Sequence, residues 1–195
     1  DLKKLLCIDP IKSAVIFCNR KADIEKVSKF LKKYNFNTVS LHGDMEQNLR
    51  IKSLEMFKDK SAKMLIASDV AARGIDINGL SHVFNFDVPN NPEDYVHRIG
   101  RTGRAGNKGK AYTIFDKKDE KNIFLIEKLI KKKVYKISVD NFVSSQRQSD
   151  QKLSETKNNK SKSYNKNKIK LDLLPIENYL NFKESGKIPN FLNTK

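Results

Sequence analysis

Short apolar runs rich in β-branched and aromatic residues alternate along the first two-thirds of the chain with longer, lysine-rich segments of helical periodicity. The runs Ala14–Cys18, Thr38–Leu41, Met64–Ala67, Val83–Phe86 and Ala111–Phe115 predict five strands. Between the first two, Ile24, Val27, Leu31 and Tyr34 recur at helical spacing, with lysines on the other face. Asp44, with Gln47 three residues on, predicts the capped start of a second helix that turns Leu54 and Phe57 inward. Pro92 followed by Glu93 and Asp94 suits the first turn of a third. A last helix, over about 118–131, buries Ile123, Ile126 and Ile130 and stops in Lys131-Lys132-Lys133, favourable charge for a helix C-terminus. This alternation predicts an α/β fold around a mostly parallel sheet.

The pattern breaks near residue 143. Residues 144–170 are Ser, Gln, Asn and Lys with few large apolar residues, too little to offset their own ordering entropy, so a disordered linker is expected. Apolar residues return over 171–195, among them Leu173, Leu174, Tyr179, Phe182 and Phe191, where either a short docking helix or an isolated apolar island is expected. Three units follow: a domain over 1–143, a linker over 144–170 and a tail over 171–195.

Charge narrows the class of partner. The 195 residues carry a net charge of +16, and pI is near 9.7. The excess is spread through the chain, since residues 144–195 hold 11 Lys and Arg against 5 Asp and Glu. Nucleic acid is the first partner such a footprint suggests, and an ordinary solvated basic surface the plainer one. Cys7 and Cys18 are the only cysteines, with no His or Cys at metal-ligand spacing, so no metal site and no disulfide framework are expected. No apolar stretch approaches a membrane span and the start is not a signal peptide, which together suit a reducing, cytoplasmic setting. The chain opens on Asp1 inside what reads as an ordered segment, as a piece of a longer protein would.

The run from Tyr95 to Gly106 carries the densest chemistry. Arg98, Arg101 and Arg104 stand at three-residue spacing, His97 precedes the first, and Gly100, Gly103 and Gly106 punctuate the segment. Guanidinium forks suit bidentate phosphate contacts, and glycines let backbone and arginine heads approach a ligand. No G-x-x-x-x-G-K-[ST] loop and no Asp-Glu-Ala-Asp box occur, so the chain lacks the parts that would cradle a triphosphate and its metal.

His97 to Arg104 resembles, over eight positions, the His-Arg-Ile-Gly-Arg-x-Gly-Arg motif of the DEAD-box RNA helicases of superfamily 2. Other segments resemble that family's motifs in the same order. Val15–Asn19 is similar to motif IV, His42-Gly43-Asp44 with Gln47 and Arg50 to the glutamine–arginine motif, and Leu65–Asp76 to motif V. The likeness covers about residues 12 to 116. It implies the C-terminal RecA-like domain, a three-layer fold of P-loop NTPase type, of an ATP-dependent RNA helicase. ATP would be shared with a separate N-terminal RecA-like domain, which would also hold Mg²⁺. Arg101 and Arg104 would serve as arginine fingers, Arg104 foremost, while Gly74 and Asp76 would lie at the nucleotide, Asp76 toward its ribose. His97 and Arg98 would pair with acidic groups of the N-terminal domain. RNA would meet Arg20, Gly43, Gln47, Arg50 and Ser68, where the family commonly has Thr for Ser68. Capping roles compete for Gln47 and Asp76. The full-length protein would be an enzyme, and this chain alone inactive. Two rivals are a superfamily 2 DNA helicase and a non-enzymatic RNA-binding module.

Overall fold

Every position of β1 (Ala14–Phe17) and β3 (Met64–Ala67) is buried, which is why both read as unbroken apolar runs: a parallel sheet covered on both faces has no polar side. The computed structural model describes residues 2–7, 10–103, 109–138 and 170–175, with backbone only at 137, 138 and 170–175. β2 (Thr38–Leu41), β4 (His82–Asn85) and β5 (Lys110–Phe115) complete a parallel sheet of order β2-β3-β1-β4-β5. Two further strands continue it beyond β5, β7 (Lys170–Pro175) antiparallel to β5 and the short β6 (Lys136–Ser138) antiparallel to β7.

Alternation along the strands divides the core between two faces. Ile16, Ile66, Phe84 and Tyr112 pack against α1 (Leu2–Leu6) and α2 (Lys21–Lys33). Val15, Phe17, Leu65 and Val83 face α3 (Gln47–Lys58), α5 (Pro92–Ile99) and α6 (Glu120–Ile130). The expected three-layer, RecA-like α/β architecture is what forms. Among the described residues, no helix is long and apolar enough to cross a membrane.

Several local expectations are corrected. Asp44 does not cap α3: Glu46 occupies the cap position without a side-chain bond, and the Asp44 carboxylate pairs instead with Lys21. Tyr34 lies at the C-cap of α2 and is 41% exposed, its ring beneath Lys3. A four-residue helix, α4 (Asp69–Ala72), follows β3 unannounced by any periodicity. The last helix starts later than expected, after a 3-10 turn over Lys117–Asp119 that Asp116 and Asp119 close as a capping box. Of the 171–195 tail only 171–175 is described, and it is extended; the remainder and the 144–169 stretch lie outside the described residues.

After α6 the chain turns at Lys131, in the left-handed region (φ 54°), and Glu127 receives it. The Glu127 carboxylate accepts from the Val134 N–H at 3.0 Å and from Lys133 Nζ at 2.9 Å. Burial would raise its pKa, but these two donors outweigh burial and hold it below the usual range. The stabilisation Glu127 gives is therefore complete above the ordinary carboxylate pKa and fades as pH falls through the depressed one. Glu127→Ala is expected to cost about 1–3 kcal/mol at neutral pH by orphaning a buried amide, read as a lower urea midpoint, with the deficit shrinking in acid.

Candidate functional site

The parallel register sets Phe17, Ala67 and Asn85 side by side, and Leu41 beside Ala67. The loops that follow β1, β2, β3 and β4 therefore leave from one edge, where open parallel sheets place their ligands. Ser68 begins α4, its Oγ accepting from the Ala71 N–H at 3.4 Å, so part of this hydroxyl's capacity goes to capping.

Arg98 joins these loops. Its side chain is 1% exposed, and all five N–H donors have partners. Nε and Nη2 grip Asp69 at 2.7 and 2.6 Å, the planar fork meeting both carboxylate oxygens. Nη2 also donates to Asn19 Oδ1 at 2.7 Å, and Nη1 to the Asp87 carbonyl at 2.8 Å and Asn85 Oδ1 at 3.4 Å. The cation lies 5.2 Å from the Phe17 ring centroid. The partners extend the web: the Asn19 N–H donates to Asp87 Oδ2, Asn19 Nδ2 to the Val88 carbonyl, and Asn85 Nδ2 to Thr113. Burial lifts the Asp87 carboxyl above its usual range and drives the neighbouring Cys18 thiol strongly upward. Arg98, expected to pair with acidic groups of another domain, is engaged here by its own. It has no donor left to offer, because its own domain takes every one.

Arg101 lies past the end of α5 and is half-buried, with Nη1 donating to the Ile75 carbonyl at 3.1 Å. It thus touches the loop that carries Gly74 and Asp76. Gly74 sits at φ +73°, a conformation that suits glycine, and Asp76 is exposed and accepts from Asn78. Arg73, which the sequence reading passed over, pairs with Asp94 at 2.6 Å. A small cleft gathers Phe17, Asp69, Arg73, Asp94, His97 and Arg101 with Arg98. Arg104 lies outside the described residues, as do 105–108; the flanks of that stretch meet, since a Cβ on Gly109 would stand 1.8 Å from Thr102 Oγ1.

Of the residues expected at RNA, Gly43, Gln47 and Arg50 follow the outer strand β2, while Arg20 and Ser68 adjoin Asn19 and Asp69 of the Arg98 web. Arg20, Gly43 and Gln47 are exposed, and Arg50 and Ser68 half-buried. The Lys21–Asp44 bridge ties the start of α2, which Arg20 immediately precedes, to the Gly43 turn after β2. Gln47 makes no capping bond at the start of α3. Among the described residues no three His, Cys, Asp or Glu side chains gather as a metal site.

A model of the helicase conserved C-terminal domain matches residues 1–106. The chain belongs to this helicase C-terminal domain family. Its relatives include the DEAD-box ATP-dependent RNA helicase RhpA of Helicobacter pylori, 43% identical over 129 residues, which are 66% of this chain and 26% of RhpA. Among solved structures, a DEAD box protein from Methanococcus jannaschii is 42% identical with TM-score 0.63, over 68% of this chain and 36% of that one. Dbp5 of S. cerevisiae, bound to RNA and ADP BeF3, gives TM-score 0.66 at 30% identity over 78% of this chain and 41% of Dbp5. The helicase domain thus spans about a quarter of the length of RhpA.

The two Arg–Asp bridges differ sharply in environment, and their removal is expected to differ accordingly. Arg98→Ala should cost about 3–5 kcal/mol by emptying the site of a 1% exposed guanidinium and leaving its buried and half-buried acceptors without a donor. Arg73→Ala, at a side chain 62% exposed, should cost less than about 1 kcal/mol. Urea unfolding of the purified chain checks both.

Proposed function

We propose that this domain is the C-terminal half of an ATP-dependent RNA helicase, supplying arginines in trans to a nucleotide whose phosphates and Mg²⁺ a separate N-terminal RecA-like domain holds. The observation that carries this reading is the Arg98 web together with the Arg101–Ile75 contact. It fixes the arginine segment and the Gly74–Asp76 loop as one rigid edge, and rigid placement is what phosphoryl transfer asks of a protein. The residues present suit the outer half of a nucleotide site: guanidinium groups for phosphate oxygens and an exposed carboxylate for ribose hydroxyls. ATP bound there supplies the free energy that drives closure of the two domains. Arg101 and Arg104 then meet the developing charge on the γ-phosphate, with Arg104 the principal finger. His97, exposed on the rim of the cleft, turns to the partner domain. Arg20, Gly43, Gln47, Arg50 and Ser68 take one RNA strand through backbone phosphates and 2′-OH groups, which closure bends so that a short duplex opens. The chain alone does not hydrolyse ATP.

In the full-length protein, Arg104→Ala and Arg101→Ala should each lower RNA-stimulated ATP turnover, Arg104→Ala by about 10³-fold or more, with RNA affinity in the absence of nucleotide nearly unchanged. Near-normal turnover in Arg104→Ala sinks the finger assignment. Stronger stimulation by DNA than by RNA sinks the RNA helicase reading.

A further inference from the structure

We propose that Asp94 is a positioning residue for the nucleotide: acting through Arg73, it holds the Gly74–Asp76 loop in register with the arginine segment. The inference rests on the reading of the site as nucleotide-facing.

α4 and α5 meet through two ion pairs of reversed polarity. Asp69 opens α4 and Arg73 follows its end, four residues later; Asp94 stands in the first turn of α5 and Arg98 four residues on. Residues four apart share a helix face, so each element offers one acid and one arginine to the other. Arg98 grips Asp69 in the interior, and Asp94 grips Arg73 at the rim, at 2.6 Å. The inner pair serves the fold. The outer pair sits at the root of the Gly74–Asp76 loop.

That loop needs external anchors. Between α4 and β4 it has no regular structure, and Gly74 and Gly79 both lie at positive φ. Ile77 is buried, and Arg101 donates to the Ile75 carbonyl. Upstream of Gly74, Arg73 is the anchor: its N–H donates to the Asp69 carbonyl, and its guanidinium goes to Asp94. The Arg73 side chain is 62% exposed and the Asp94 side chain 15%. The carboxylate is thus the fixed partner, held in a helix first turn whose dipole favours its charge, and the arginine is the one it orders. So exposed a pair adds little to stability, and its effect falls on where Asp76 and Arg101 point.

The test uses the full-length protein with Asp94→Asn, Asp94→Glu, Arg73→Gln and the double variant Asp94→Asn/Arg73→Gln. Asp94→Asn is expected to raise KM for ATP about three- to tenfold, with kcat within about twofold. RNA affinity without nucleotide and the urea midpoint should stay at the parental values. Asp94→Glu should restore KM, and the double variant should match Arg73→Gln, since Asp94 acts through Arg73. An unchanged KM in Asp94→Asn, additive effects in the double variant, or parallel loss of kcat and stability each overturns the proposal. Arg104→Ala separates the two levels. If it is inactive while Asp94→Asn behaves as the parent, only the positioning role fails; if it turns over ATP normally, the reading of the site fails.

Discussion

A guanidinium that is 1% exposed must be met donor by donor, and this requirement on Arg98 organises the domain. Five donors need five acceptors, which come from the ends of β1 and β4, from α4 and from the loop after β4. Any shift in strand register would withdraw an acceptor and leave a buried charge short. The side chains that satisfy Arg98 are in turn held by others, Asn19 by Asp87 and Val88, Asn85 by Thr113. The loops at the carboxyl edge are consequently not independent connections but branches of one hydrogen-bonded body.

Much of this body was legible in the sequence because burial on both faces leaves a strong trace. All five parallel strands were found, with Cys18 and Phe86 assigned one residue too far and the starts of β4 and β5 one too late. Failures came where long-range bonds outcompete local rules. Asp44 has the spacing of a cap, yet Lys21, 23 residues away in sequence, claims its carboxylate. α4 is too short for any period to register. The arginines at 98, 101 and 104 are evenly spaced in the sequence, but even spacing does not fix a common direction. On a helix, three residues turn about 300°, so successive members diverge, and α5 ends at Ile99 before the second is reached. Arg98 therefore points into the core while Arg101 reaches across to Ile75. Asn19, Asp69, Asn85 and Asp94 gave no warning of their roles, since each gains its meaning from a partner distant in sequence.

The same geometry gives the two proposed halves of the site a shared hinge point. Asn19 and Arg20 are consecutive residues at the end of β1. The first bonds Arg98, and the second stands exposed beside the Lys21–Asp44 bridge on the proposed RNA side. A displacement of one is transmitted to the other through a single peptide unit, because Asn19 is fixed by three bonds to α5 and the loop after β4. An RNA phosphate drawn to Arg20 would pull on a residue that holds the arginine segment, and the arginine segment would resist. Coupling of this kind needs no long chain of intermediates, only a rigid web with a different ligand at each edge. Its strength depends on how little slack the web contains. A fully satisfied, buried guanidinium leaves almost none, whereas the exposed Arg73–Asp94 pair at the rim leaves more. On the proposed reading, the inner bridge would set whether the two edges communicate, and the outer one how accurately the loop proposed to face the nucleotide follows.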